Sequence, residues 1–88
     1  MLLTFGTALG TATATLIYEC RANVATVYIT NHSGGQIHVG GSAVTQTTGY
    51  GVGNGNAVSF VVYNGDKVYG YDTNGGATLD VLVTAPNP

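Results

Sequence analysis

The stretch Val39–Val52, VGGSAVTQTTGYGV, contains no charged residue and has glycines at both ends. Gly40–Gly41 permits a sharp change of chain direction, because glycine adopts positive φ at little cost. We expect Val44 to return to the core and Thr45–Thr48 to form an exposed loop. Gly49–Tyr50 then brings the chain back, with the tyrosine ring across the end of the domain and its hydroxyl in water. The stretch therefore predicts a corner between strands of a small β-sandwich.

On both sides of this corner, apolar and polar residues alternate with a period of two, as in strands with one buried face. β-Branched and aromatic residues dominate and glycines recur, which disfavours helices. Asn64–Gly65 and Asn74–Gly75 predict type I′ hairpins. Short strands between such turns are typical of all-β sandwiches. We predict a small antiparallel β-sandwich, jelly-roll-like or immunoglobulin-like, with an extended N-terminal arm.

The length of 88 residues suits one domain. Residues 1–15 are predicted to form an N-terminal arm or a first edge strand, 16–85 the sandwich, and 86–88 a C-terminal tail. Cys20 falls on a predicted apolar face, which favours a buried role over a reactive thiol. Alternation predicts the following inward-facing residues: Leu16, Val27, Ile29, Ile37, Val39, Val58, Phe60, Val62, Leu79, Val81 and Val83.

Only 7% of the residues are charged, compared with about 25% in an ordinary soluble domain. The six are Glu19, Arg21, Asp66, Lys67, Asp72 and Asp80. Two basic side chains cannot form the basic surface that nucleic-acid binding requires. No apolar run approaches the roughly 20 residues of a transmembrane helix, and MLLTFGTALG lacks the positive charge of a signal peptide. So few charges are typical of a protein that is covered by neighbours or acts outside the cell.

No motif predicts catalysis. The sequence has no GxSxG pattern, and no predicted helix follows the glycine-rich GYGVGNG. His32 and His38 would need a third ligand to hold a metal ion, and Asp72 and Asp80 are the candidates for it. We therefore predict a protein with no enzymatic activity, no metal and no cofactor.

From the strand that ends at Asn31 through Thr84, the sequence resembles small β-sandwich virion proteins of tailed bacteriophages. The matching segments are VYITNHSGGQIHVGGSAVT, GYGVGNGNAVSF and GDKVYGYDTNGGATLDVLVT. Gly51 departs from the pattern, because proline often follows the Gly-Tyr pair in that family. The resemblance implies a decoration or cement protein that binds the major capsid protein lattice on the virion exterior, or else a tail or fibre component.

Two groups of residues are predicted to make contacts. The apolar N-terminal segment is expected to reach a neighbouring subunit or the capsid, and three tyrosines are expected to contact a protein or, in a carbohydrate-binding alternative, a glycan. These candidates are Met1, Leu2, Leu3, Phe5, Leu9, Tyr50, Tyr63 and Tyr71. We also expect self-association, with a trimer as the anticipated form, because closed symmetry would cover the edge strands of a small domain.

Overall fold

The computed structural model describes residues 1–32 and 35–86, which form eight β-strands in two four-stranded antiparallel sheets. The strands are β1 (Leu2–Ala8), β2 (Thr15–Glu19), β3 (Val24–Asn31), β4 (Ile37–Gly40), β5 (Tyr50–Val52), β6 (Ala57–Tyr63), β7 (Lys67–Tyr71) and β8 (Thr78–Thr84). The described part of the chain contains no helix that could span a membrane. The predicted all-β sandwich is confirmed.

Strand pairing is symmetric about the middle of the chain, so that the first strand pairs with the eighth, the second with the seventh, and so on. Sheet A has the order β1-β8-β3-β6 and sheet B the order β2-β7-β4-β5. Thus β1 pairs with β8, β2 with β7, β3 with β6, and β4 with β5. The chain is one long hairpin folded over on itself, which is jelly-roll topology. The hairpin turns back on itself between Val39 and Tyr50, within the charge-free stretch that predicted a corner.

The geometry of this tip agrees with the sequence only in part, because Gly40 and Gly41, where positive φ was expected, do not adopt it. Gly49 has φ +97°, a conformation in which other residues are strained. Val44 is buried and donates its amide to the carbonyl of Gly41 at 3.0 Å. The hydroxyls of Thr45 and Thr48 lie 2.9 Å apart and hold the exposed loop together.

The two predicted hairpins are wrong, although both segments are turns. At Asn64–Gly65 the amide of Asp66 donates to the carbonyl of Tyr63 at 2.9 Å, and only the glycine has positive φ. A type I′ turn needs positive φ at both central residues. The strands on either side of this turn, β6 and β7, also belong to different sheets, as do the strands around Asn74–Gly75. These turns therefore carry the chain from one sheet to the other.

The core lies between the sheets. Ten of the predicted inward-facing residues are buried or packed against the core, but Leu16 is 45% exposed. The register between β2 and β7 shifts between Leu16 and Tyr18, so Ile17 becomes the buried residue. Cys20 is buried as predicted. The remaining core residues are Leu9, Ala25, Val44, Val52, Val68 and Ala77.

The N-terminal segment is built into sheet A. β1 pairs with β8 along its length, from Leu2 opposite Thr84 to Ala8 opposite Thr78. The N-terminal amine donates to the carbonyl of Ala85 at 2.6 Å. The segment therefore does not extend away from the domain as an arm, because its backbone completes the edge of the sheet. Of the expected tail, Pro86 is exposed, and residues 87–88 lie outside the described residues.

Candidate interaction surfaces

The outer face of sheet A consists of the side chains that point away from sheet B. Because directly opposed residues share a face, one row across the sheet runs through Thr4, Leu82, Tyr28 and Ser59. The large apolar or aromatic side chains that are exposed on this face are Leu2 (70%), Tyr28 (42%), Val61 (52%) and Tyr63 (61%). Four such side chains, surrounded by threonines, form an apolar surface of the kind that marks an interaction site.

Charge is almost absent from this face. Across residues 1–32 and 35–86, Asp80 is the one charged side chain on it, and its Oδ2 lies 2.8 Å from Nε2 of His32. Both side chains are largely exposed, so this pair contributes little to stability. Glu19 and Arg21, 3.7 Å apart, lie at the end of β2 in the other sheet. The outer face of sheet A therefore offers little charge repulsion to a second protein surface.

The two sheets differ in how their edges are protected. β1 and β6, the edges of sheet A, have seven residues each, no charged residue and an uninterrupted register. β2, an edge of sheet B, has five residues with a register shift and ends at Glu19. The opposite edge, β5, has only three residues. Short, irregular or charged edges resist strand addition, so sheet B is protected and sheet A is not.

A groove of about 500 Å³ lies beside β6, between the two sheets. Phe60 and Val58 of β6 are only partly buried there, because the short β5 does not cover them. Tyr50 lies on the opposite wall, and Asp66 and Lys67 lie at one end. The groove is therefore a largely apolar opening that runs directly beside the free edge of β6.

The residues predicted to make contacts do not lie together on one surface. Met1, Leu2 and Leu3 are exposed along β1 and just before it, and Phe5 is partly buried against the core. Leu9 is only 3% exposed and belongs to the core, so the expectation that it contacts a partner is corrected. Leu9 is buried because it follows the edge strand into the interior, where it lies close to Gly70.

The three candidate tyrosines lie on three different surfaces. Tyr63 is on the outer face of sheet A, and Tyr50 lines the groove. Tyr71 is opposite His38 on the outer face of sheet B, because the neighbours of His38, Ile37 and Val39, point into the core. These tyrosines therefore do not combine into one sugar-stacking platform.

The described ranges contain few side chains that could bind a metal ion or react. In the described ranges, no three His, Cys, Asp or Glu side chains converge as a metal site. The buried Cys20 thiol donates to the carbonyl of Ala22 at 3.3 Å. Burial raises the pKa of Tyr18, and the nearby Cys20 adds to the rise. These arrangements serve packing, since none of them opens onto a shared pocket with a second reactive group.

Two exposed residues of the outer face were not singled out from the sequence. Tyr28 lies between the inward-facing Val27 and Ile29, so alternation placed it outside without marking it as a contact. Val61 lies between the inward-facing Phe60 and Val62 in the run AVSFVVY, so alternation places this apolar side chain on the outside. An apolar residue at an outward position of a strand is the feature that would have identified both.

Comparison with known proteins shows the fold. No family model matches the chain, and no curated protein matches it. A solved structure described as Bacillus endospore appendages that form a novel family of disulfide-linked pili has a similar fold, with a TM-score of 0.53 and 18% sequence identity. The similarity covers 93% of this chain and 84% of the other. At this identity the likeness establishes a shared β-sandwich fold.

Proposed function

We propose that this protein is a non-catalytic structural subunit that associates with copies of itself in an assembly outside the cell. The observation that carries the proposal is sheet A. Its outer face exposes four large apolar or aromatic side chains and one charged side chain, and its two edges are unprotected. A monomer with this surface would be prone to self-association. The fold similarity to an appendage protein that forms pili supports the same class of function.

The association would be non-covalent in this chain. The similar structure is described as disulfide-linked, whereas the single cysteine here, Cys20, is buried in the core. A disulfide between two copies would require both cores to open. Backbone pairing and apolar burial are then the remaining sources of affinity, and both persist at high salt because they do not depend on charge.

Two narrower versions of this function are each favoured by a different observation. An appendage or fibre subunit is favoured by the fold similarity to pili. A decoration protein on a bacteriophage capsid is favoured by the resemblance of the segments between Val27 and Thr84 to virion proteins. A fibre subunit assembles alone, whereas a decoration protein remains a small oligomer until capsids are added.

Light scattering and electron microscopy of the purified chain over a range of concentrations test the proposal. We expect assemblies larger than the monomer that survive high salt. Val61→Glu, on sheet A, should weaken assembly by at least about tenfold, because a carboxylate resists burial in an apolar contact. Leu16→Glu is the matched control, since Leu16 is a similarly exposed aliphatic residue on sheet B, and it should assemble like the wild type.

A chain that stays monomeric at every concentration, and that does not bind capsids either, would contradict the proposal. Equal weakening by Val61→Glu and Leu16→Glu would show that sheet A is not the surface used. Capsid binding without fibre formation would select the decoration form over the appendage form.

A further inference from the structure

The unpaired backbone groups of sheet A can be located residue by residue. In β3, Asn31 donates its amide to the carbonyl of Asn56 and accepts at its carbonyl from the amide of Gly55, so its backbone points toward β6. Alternation then directs the odd residues of β3 toward β6 and the even residues toward β8. The hydrogen bonds Met1–Ala85 and Leu9–Ala77 flank the two ends of the β1–β8 pair and join odd residues to odd residues. By alternation, the odd residues of β1 therefore point toward β8.

This alternation identifies the backbone amides and carbonyls that point away from sheet A at its two edges. On β1, the amides and carbonyls that point away from the sheet belong to Leu2, Thr4, Gly6 and Ala8. On β6, they belong to Ala57, Ser59 and Val61. The series ends at Tyr63, whose amide donates to Oδ2 of Asp66 at 2.8 Å and whose carbonyl accepts from the Asp66 amide at 2.9 Å.

The two edges are complementary to each other. With four antiparallel strands, β1 and β6 run in opposite directions, so a copy shifted along the sheet presents its β1 antiparallel to β6 of the first. The outward-pointing residues on both edges carry their side chains on the outer face of sheet A. Pairing them therefore joins outer face to outer face and inner face to inner face, with the pleat preserved.

The inner side of this junction is the groove beside β6. The inward-facing residues of β1 include Leu3, which is 40% exposed, and Phe5, which is partly buried. In a joined sheet these side chains of the second copy would lie next to Val58 and Phe60, at the cross-strand distance at which aromatic and aliphatic pairs stabilise a sheet. Those two residues line the groove on the side of sheet A, and Val39, Tyr50 and Val68 line it on the side of sheet B.

We propose that β1 of one copy adds as a strand to the free edge of β6 of the next, so that sheet A continues from subunit to subunit. The occupant of the groove is then the inward side of β1 of a second copy. This inference rests on the proposed self-association and names its partner surface. The interface joins two different edges, and each copy is displaced along the continuing sheet by the width of four strands. Repetition of this step therefore generates an open fibre rather than a ring.

The proposal has a geometric consequence that can be measured. Neighbouring strands lie about 4.8 Å apart, so four strands give a rise of about 19 Å per subunit along the sheet. The usual twist of adjacent strands accumulates to about 80–100° per subunit. Fibres should therefore show a reflection near 4.8 Å along the fibre axis, and reconstructions should show a repeat of this rise.

Proline substitutions at the edges test the mode of pairing. Thr4→Pro and Ser59→Pro remove amides that point out of the sheet, so the internal ladder of each subunit is preserved. We expect each variant alone to be monomeric. An equimolar mixture should give a species of twice the subunit mass and nothing larger, because Thr4→Pro retains a working β6 and Ser59→Pro retains a working β1. Thr4→Val and Ser59→Thr keep the amides and should assemble like the wild type.

Circular dichroism and thermal melting verify that the variants fold, and Gly6→Pro and Val61→Pro are replacements with the same outward amides. Dimers or fibres of a proline variant alone, or a mixture that stays monomeric, would overturn the edge pairing. If the wild type assembles and the proline variants assemble equally well, the edge pairing fails while the proposed function stands. A wild type that never assembles removes both.

Discussion

The side chain of Asn31 ties the end of β3 to Val52 in the opposite sheet, with Nδ2 donating to the Val52 carbonyl at 2.9 Å. A second bond from the same nitrogen reaches the carbonyl of Gly35 at 2.7 Å. Asn31 is fully buried and is the one buried polar residue in the described part of the chain. It therefore joins the two sheets and holds the connection between β3 and β4 with a single side chain.

Asn31→Ala should lower the free energy of unfolding by about 2–4 kcal/mol, because two backbone carbonyls lose a buried partner. Chemical denaturation measures the change. Asn23→Ala, at an exposed position, is the control and should stay within about 0.5 kcal/mol of the wild type. A similar small change for Asn31→Ala would mean that water replaces the amide without cost.

Gly49→Ala should destabilise the hairpin tip by about 2 kcal/mol or more, through strain at positive φ and crowding. An added Cβ would lie 2.7 Å from the carbonyl oxygen of Val39 and 2.6 Å from Cγ2 of Val44. Gly41→Ala is the matched control, since nothing lies within 4 Å of its Cβ position. Thermal melting of the two variants should separate them clearly, and equal melting temperatures would contradict the tip geometry.

The shift in register of β2 predicts opposite results at two adjacent residues. Ile17→Ala should cost about 2–5 kcal/mol, because it opens a cavity in the core. Leu16→Ala removes a side chain that is 45% exposed and should cost less than about 1 kcal/mol. Denaturant midpoints for both variants give the comparison. A larger loss of unfolding free energy for Leu16→Ala than for Ile17→Ala would mean that Leu16 is the core residue, as simple alternation predicts.

The raised pKa of Tyr18 predicts a loss of stability in alkali. The ordinary value is 10.0, and burial followed by the influence of Cys20 moves the pKa upward in the fold. Above pH 10.0 the unfolded chain therefore releases the phenolic proton before the folded chain does, and unfolding is favoured as pH rises through the folded pKa. Below pH 10.0 the phenol is protonated in both states, and its effect disappears.

Tyr18→Phe should accordingly show a shallower decline of unfolding free energy above pH 10 than the wild type. Tyr63→Phe, at an exposed position, is the control and should follow the wild-type curve. Denaturation at pH values between 8 and 11 gives the slopes, which are proportional to proton uptake on unfolding. Identical slopes for Tyr18→Phe and wild type would show that the phenol ionises equally in both states.

The alternation of residues was enough to predict the fold class and most of the core, because a period of two is a local property of strands. It placed Ile29 and Leu79 inside, as the structure does. It failed at Leu16, since the register shift in β2 depends on pairing with a distant strand. It also treated Asn64–Gly65 as a hairpin, because a turn signal does not specify which sheet the next strand enters.

The candidate surface was only partly visible in the sequence. Leu2 was identified as part of an apolar N-terminal segment and Tyr63 as a candidate contact tyrosine, and both are exposed on sheet A. Leu9 was grouped with them by proximity along the chain, yet it is buried. The unprotected edges could not be predicted, because which strands lie at an edge is decided by the order of all eight strands in space.

The mirror-like pairing of strands has a consequence during synthesis. β1 is made first but pairs with β8, the last strand, and β8 also joins β1 to β3. The segment from Leu2 to Thr84 must therefore leave the ribosome before this sheet can close. Such long-range pairing makes folding slow, and the apolar first strand must be kept from premature contacts until its own C-terminal partner emerges.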